Sequence, residues 1–145
     1  MTSRRAVAAA EGALEQRLRE AAFRAMENAY APYSGFRVGA AVAGDDGVVV
    51  AGCNVENSAY PSGICAERGA VSALVARGGR RVRALVIATE ADDPTPPCGM
   101  CRQVLAELSD PALEVVSATR SGREARWRMG ELLPAPFTPA SLGRH

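Results

Sequence analysis

The chain has 145 residues, of which 48% are hydrophobic and 23% charged, and this balance predicts one globular domain rather than a disordered chain. Its net charge of +1 argues against a nucleic-acid-binding protein, which usually carries a basic stripe. The one dense basic stretch, from Arg120 to Arg128, alternates along a predicted strand and is interpreted as a solvated face. No apolar run approaches the roughly 20 residues that span a membrane, and the Ala-rich N-terminus is too weakly hydrophobic for a signal peptide. We therefore expect a cytoplasmic protein without nucleic-acid or membrane partners.

The first part of the chain predicts a helix followed by a hairpin. Apolar residues recur at helical spacing over 11–30, and Pro32 ends the pattern. Two segments, 37–43 and 48–53, flank a Gly-Asp-Asp-Gly turn at 44–47 and predict a pair of antiparallel strands.

The rest of the chain predicts helices and strands in alternation. In chain order, these elements are a loop at 54–63, a helix at 65–77, a strand at 83–89, a Pro-rich loop at 92–97, a helix at 98–108, strands at 114–118 and 124–129, and a short helical turn with a tail at 132–145. This order predicts an α/β fold, with three layers, α/β/α, around a mixed five-stranded sheet. We expect a single domain over 1–145, with flexible ends at 1–10 and 140–145.

Three cysteines lie at the starts of predicted helices. Cys65 begins one helix, and Cys98 and Cys101 lie in the first turn of another. Residues three apart share a helix face, and helix N-termini favour the thiolate form that binds zinc. Structural zinc sites have four protein ligands, whereas catalytic sites have three and a water molecule. Cys53 could be a fourth ligand, but it closes a predicted strand and is interpreted as a small buried side chain; His145, the only histidine, is the last residue. Three ligands therefore predict a catalytic zinc ion.

Glu67 follows Cys65 by two residues, so its carboxylate can lie beside the metal without being a ligand. Such a carboxylate can take a proton from a zinc-activated water and return it to a leaving nitrogen. A Cys-x-Glu segment followed by Pro-Cys-x-x-Cys, here Pro97–Cys101, is the signature of zinc-dependent nucleobase deaminases, whereas a bare Cys-x-x-Cys would leave a redox function open. Three thiolates exceed the charge of a dication, and Arg68 or Arg102 could offset that excess by donating hydrogen bonds to a sulfur.

These motifs belong to a series of ordered blocks that resembles the small, homotetrameric class of zinc-dependent cytidine deaminases. The resemblance extends over about residues 29–139. It rests on the segments Ala31–Phe36, Gly52–Asn57, Cys65–Arg68, Pro97–Gln103 and Glu131–Pro134. It implies the fold of that family and one zinc ion per subunit.

The resemblance also implies roles for residues around the metal. Asn54 and Glu56 look like the pair that hydrogen-bonds the ribose 3′-hydroxyl, and Phe36 looks like the aromatic residue that borders the base. Ala66 would offer its backbone N–H to the pyrimidine carbonyl, and Glu67 would also contact the ring nitrogen.

Two further aromatic residues, Tyr60 and Phe137, resemble side chains that enter a neighbouring subunit's site. They imply a homotetramer with shared active sites. Ser58-Ala59 replaces the more usual Ala-Cys or Ala-Ala before the tyrosine, and we expect this to change the surroundings of the 5′-hydroxyl only modestly.

The implied reaction is the hydrolytic deamination of free cytidine and 2′-deoxycytidine to uridine and 2′-deoxyuridine, in pyrimidine salvage. Zinc-bound hydroxide would attack C4, and Glu67 would carry protons to N3 and to the departing ammonia. A deaminase of another small aminopyrimidine, such as blasticidin S, would be expected to depart from the segment Asn54–Asn57. A polynucleotide deaminase would need a basic, aromatic groove, and aromatic residues are only 5% of this chain. A non-enzymatic zinc module would need a fourth ligand such as Cys53.

Overall fold

The computed structural model of the protein describes residues 3–144. Within them, the strands are β1 (Val38–Ala43), β2 (Val49–Cys53), β3 (Ala84–Thr89), β4 (Glu114–Thr119) and β5 (Glu124–Arg128). The helices are α1 (Arg4–Glu27), α2 (Ala66–Ala76), α3 (Gly99–Leu108) and α4 (Met129–Leu132), with 3₁₀ turns at Tyr60–Ser62 and Pro139–Leu142. The sheet order is β2-β1-β3-β4-β5, with β3 and β4 parallel and the other pairs antiparallel. The predicted mixed five-stranded sheet is confirmed.

Helix α1 covers one face of the sheet, and helices α2 and α3 contribute to the other face. Strand β1 supplies both interfaces: Ala41 and Ala43 pack with α1, whereas Ala40 and Val42 pack with α2 and with Leu105 of α3. This division follows from the alternating direction of side chains along a strand. The predicted three-layer α/β/α arrangement is confirmed. No helix among residues 3–144 combines the length and the apolar character needed to cross a membrane.

Two glycines allow the helices to approach the sheet closely. A Cβ at Gly39 of β1 would lie 1.9 Å from the carbonyl oxygen of Ala22 in α1. A Cβ at Gly52 of β2 would lie 2.5 Å from the backbone nitrogen of Ala70 in α2. Neither position has room for a side chain, so both helices lie directly against the backbone of the sheet.

Helix α1 begins seven residues before its predicted start at residue 11. Ser3 caps it by accepting a hydrogen bond from the backbone N–H of Ala6 at 3.2 Å. The added turns, residues 4–10, are exposed, so apolar periodicity could not reveal them. We predicted a flexible end there; the structure places residues 4–10 in a helix, and their mobility stays a prediction.

The other predicted ends also shift. Helix α1 ends at Glu27 rather than at Tyr30, because the N–H of Tyr30 donates instead to the carbonyl of Asn54. At the C-terminus, the 3₁₀ turn Pro139–Leu142 includes part of the segment 140–145 that we expected to be flexible. His145 lies outside the described residues.

The basic stretch of β5 and its preceding turn is matched by carboxylates. Arg126 forms ion pairs with Glu15 of α1 at 2.7 Å and with Glu114 of β4 at 2.6 Å. Arg120 pairs with Glu27 at 3.3 Å. Exposed pairs of this kind contribute at most about 1 kcal/mol each. The pairing agrees with a solvated face and leaves these two arginines already partnered.

Candidate active site

The N-termini of α2 and α3 bring three cysteines together. Cys65 is the N-cap residue of α2, Cys98 is the N-cap residue of α3, and Cys101 lies in the first turn of α3. The three Sγ atoms lie within 4.8 Å of one another, and those of Cys65 and Cys98 are 3.7 Å apart. Tetrahedral zinc with Zn–S bonds of about 2.3 Å holds its sulfur ligands about 3.8 Å apart, so this donor set fits the metal. Among residues 3–144, this cluster consists of Cys65, Cys98 and Cys101, and Cys53 is not part of it.

Hydrogen bonding divides the protons of the cysteine cluster unequally. The hydrogen bond from Cys101 lowers the pKa of Cys65 to about 5, with further lowering by Cys98 and Arg68. The same contact with Cys65, together with burial and the charge of Glu67, raises the pKa of Cys101. Cys65 is therefore ready to bind a metal as the thiolate, whereas Cys101 keeps its proton until a metal displaces it.

Glu67 lies beside this cluster and is almost fully buried, with 6% of its surface exposed. Its Oε2 atom accepts a hydrogen bond from Cys101 Sγ at 3.2 Å. Burial raises the pKa of its carboxyl group. A carboxyl group with a raised pKa can both accept and donate a proton near neutral pH, as general acid–base chemistry requires.

Arg68 and Arg102 have different surroundings. Arg68 donates from Nη2 to the carbonyl oxygen of Gly63 at 3.1 Å, and its charge helps to lower the pKa of Cys65. Its buried Nε has no hydrogen-bond partner of regular geometry among the residues that the structure describes. Arg102 instead donates from Nε to Pro97 O at 2.8 Å and from Nη1 to Leu132 O at 3.0 Å. Arg68 therefore faces the cluster, while the bonds of Arg102 join α3 to neighbouring backbone.

A cavity of about 410 Å³ opens beside the cysteines, and we call it the inner cavity. This volume lies in the range of small-molecule sites. Cys65, Ala66 and Glu67 line one part of it, and Phe36 and Asn54 line another. Because Ala66 is the first residue of α2, its backbone N–H has no partner within the helix and can meet a ligand.

Asn54 and Glu56 are held in fixed orientations at this cavity. Asn54 Oδ1 accepts from the backbone N–H of Val38 at 2.8 Å, and its Nδ2 donates to Phe36 O at 2.8 Å. Glu56 Oε1 accepts from the backbone N–H groups of Tyr33 and Ser34 at 2.9 and 3.1 Å. Hydrogen bonds from Ser34 and Tyr33 lower the pKa of Glu56. Asn54 and Glu56 thus present an oriented amide and an oriented carboxylate at the cavity, a pair that suits a ligand hydroxyl group.

Tyr60 and Phe137 occupy different places. Tyr60 lines the inner cavity, is 75% exposed and contacts Tyr33 edge to face, with ring centroids 5.8 Å apart. Phe137 is 59% exposed and lines a separate cavity with Leu142 and Arg144. Phe137 is therefore a predicted substrate-binding residue that does not line the inner cavity of its own chain.

Two cavity residues on β3, Ile87 and Thr89, were not among the predicted site residues. They follow Leu85 at a spacing of two, so all three side chains point to the same face of the sheet. A threonine at the end of an apolar strand was the one signal in the sequence that could have identified Thr89 as a cavity residue.

Comparison with known proteins identifies the family. The family model described as "Cytidine and deoxycytidylate deaminase zinc-binding region" matches residues 13–117, which include all three cysteines of the cluster. The chain belongs to this family. The predicted membership and the predicted enzyme are confirmed.

Individual members of this family are similar over most of their length. A protein of Halalkalibacterium halodurans named cytidine deaminase is 42% identical over 127 residues, 88% of this chain and 96% of that protein. A cytidine deaminase of Mycobacterium tuberculosis is 45% identical over 127 residues, 88% of this chain and 92% of that protein. The crystal structure of cytidine deaminase from Burkholderia pseudomallei superposes with a TM-score of 0.80 at 47% identity, covering 84% of this chain and 98% of that one.

Proposed function

We propose that this chain catalyses the hydrolytic deamination of free cytidine and 2′-deoxycytidine, releasing ammonia and forming uridine and 2′-deoxyuridine. One observation carries the proposal: the three cysteines and Glu67 meet at a cavity that also presents Asn54 and Glu56. The relatives named cytidine deaminase support the same substrate. We place the reaction in pyrimidine salvage in the cytoplasm, a location that four free thiols favour.

The proposed cofactor is one zinc ion per subunit, held by Cys65, Cys98 and Cys101. When bound, zinc supplies the Lewis acidity that makes a water molecule nucleophilic near neutral pH. Three thiolates exceed the charge of the ion, and we assign Arg68 to offset that excess because it lies beside Cys65. The contacts of Arg102 with backbone carbonyls favour a positioning role for that residue.

Glu67 moves the protons of the reaction. It takes one from the attacking water as the C4–O bond forms and delivers it to N3 of the ring. It then takes the remaining proton of that oxygen and delivers it to the amine at C4, so that the C4–N bond breaks, ammonia leaves and the C4 carbonyl group forms. Its raised pKa, caused by burial, suits both transfers. The backbone N–H of Ala66 binds the pyrimidine carbonyl at C2, which orients the ring so that C4 faces the cysteines.

The other part of the cavity binds the sugar. Asn54 and Glu56 hold the 3′-hydroxyl through an amide N–H and a carboxylate oxygen, in the orientations that their own hydrogen bonds set. Phe36 borders the base. None of these contacts reads the 2′-position, so 2′-deoxycytidine should also be a substrate.

We further propose a homotetramer in which Tyr60 and Phe137 complete neighbouring sites. The exposure of both aromatic rings and the position of Phe137 outside its own inner cavity support this assembly. Light scattering of the purified protein tests it. A monomer that deaminates cytidine at full rate would refute both the tetramer and the shared sites.

The decisive experiment follows the loss of cytidine absorbance with zinc-loaded protein. Glu67→Gln should lower kcat by about 100-fold or more while the zinc content stays the same, because the carboxylate transfers protons without binding the metal. Glu20→Gln makes the same change at an exposed position of α1, on the opposite face of the sheet, and should leave kcat unchanged. Zinc-loaded wild type without turnover, or Glu67→Gln with full turnover, would refute the proposal.

A further inference from the structure

The side chain of Thr89 at the end of β3 is buried without a partner. It is 0% exposed, and its Oγ1 atom makes no hydrogen bond with any residue in the described range 3–144. It lines the inner cavity together with Ile87. Buried hydroxyl groups in folded proteins nearly always have a partner, since an unmade hydrogen bond costs free energy. A group that enters the cavity is therefore the expected partner of Thr89.

Two neighbouring buried hydroxyl groups on β4 do find partners within the chain. Thr119, which pairs in register with Thr89, has its Oγ1 2.7 Å from Ser121 Oγ and 3.2 Å from Arg123 O, to which it donates. Ser117 Oγ accepts the backbone N–H of Thr95 at 3.0 Å. Thr89 differs from them in lining the cavity, where a bound ligand can supply the partner that residues 3–144 do not.

Thr89 lies at the cavity that contains the metal cluster and not at the second cavity beside it. A second cavity of about 380 Å³ shares Ser34, Glu56 and Tyr60 with the inner cavity, and Thr89 does not line it. The sugar end therefore lies toward Glu56 and this second cavity. Thr89 lines only the inner cavity, which also includes Cys98 of the metal cluster.

We infer that Thr89 is a further substrate-contacting residue, whose hydroxyl group accepts a hydrogen bond from the exocyclic amine of the cytosine base. This inference rests on the proposed function, which directs O2 to Ala66 and N3 to Glu67. No residue assigned so far accepts a hydrogen bond from the amine at C4. Its N–H groups are donors, and a threonine oxygen can accept from them. Thr89 thus discriminates at the 4-position of the ring.

The test compares Thr89→Val, which keeps the shape of the side chain and removes the hydroxyl group, with wild type. The value of kcat/KM for cytidine and for deoxycytidine should fall by about 3- to 10-fold, the effect of one neutral hydrogen bond. The inhibition constant of 2-pyrimidinone ribonucleoside, which has only hydrogen at C4, should not change. Thr89→Ser, which restores the hydroxyl group, should recover most of the lost rate.

Thr119→Val is the matched control, because it removes a partnered buried hydroxyl group from the adjacent strand, away from the cavity. It should lower the melting temperature and leave kcat/KM unchanged, whereas Thr89→Val should keep or raise the melting temperature. Three results for Thr89→Val would each overturn the inference. The first is an unchanged kcat/KM, and the second is an equal loss of affinity for the pyrimidinone. The third is a loss of kcat/KM for cytidine alone, which would place the hydroxyl group at the 2′-position. Those results leave the proposed function intact, whereas wild type without turnover would overturn both.

Discussion

The substitution Arg68→Gln tests how the chain manages three thiolates on one dication. Arg68 is partly buried, is fixed by its hydrogen bond to Gly63 O at 3.1 Å, and lies close enough to Cys65 to lower the pKa of that thiol. Glutamine removes the positive charge. Cys101 and Cys98 still lower the pKa of Cys65, so the pKa should rise only part of the way towards its ordinary value of 9.0.

The expected magnitude follows from the place of Arg68 beside a metal ligand. Removing a residue that hydrogen-bonds or neutralises such a ligand costs about 10- to 100-fold in metal affinity or activity. We expect a loss of zinc affinity in this range for Arg68→Gln. Competition with a chromogenic zinc chelator measures it, and titration of the zinc-free thiols with an alkylating reagent measures the rise in the pKa of Cys65.

Arg102→Gln provides the comparison, because both arginines follow a cysteine at helical spacing. Its loss of hydrogen bonds to Pro97 O and Leu132 O should lower the free energy of unfolding by about 1–3 kcal/mol. Its effect on zinc affinity should be smaller than that of Arg68→Gln. Unaltered zinc affinity and Cys65 pKa in Arg68→Gln, or a larger loss of affinity in Arg102→Gln, would refute the assignment.

Two further predictions concern stability. Burial raises the pKa of Glu67, so its carboxyl group stabilises the zinc-free fold while protonated, and that stability is lost as the pH rises through the raised pKa. In denaturant unfolding without zinc, the wild type should therefore lose free energy of unfolding relative to Glu67→Gln as the pH increases. A difference that does not change with pH would contradict this prediction. Gly39→Ala should cost about 3 kcal/mol or more because its Cβ would lie 1.9 Å from Ala22 O, whereas Gly12→Ala, which has no atom within 4 Å, should stabilise α1 by about 0.5–1 kcal/mol; equal melting temperatures for the two variants would contradict the packing argument.

The sequence predicted local features well where a local signal exists. Helices α2 and α3 begin and end within one residue of their predicted bounds. Their apolar periodicity marks both helices, and the two glycines at 78–79 mark the end of α2. The exposed start of α1 was missed, because the apolar periodicity used to find helices reports burial, and residues 4–10 are not buried. Patterns of burial therefore identified the elements that form the core better than those that extend from it.

Long-range features of the site could not be derived from spacing. Cys65 and Cys98 are 33 residues apart, and they meet because α2 and α3 follow β2 and β3 on the same face of the sheet. Spacing made both Arg68 and Arg102 candidate partners of a thiolate. The structure distinguishes them through the carbonyl of Leu132, which comes from a distant part of the chain.

The surroundings of the three cysteines show how the fold manages the negative charge that a zinc ion would balance. The hydrogen bond from Cys101, together with those from Cys98 and Arg68, lowers the pKa of Cys65, while burial raises the pKa of Glu67, which accepts a hydrogen bond from Cys101 at 3.2 Å. The proton of that hydrogen bond must be released when zinc binds, so zinc affinity should rise with pH. Because the same carboxyl group is proposed to carry the protons of the reaction, the burial that raises its pKa also prepares Glu67 for that function.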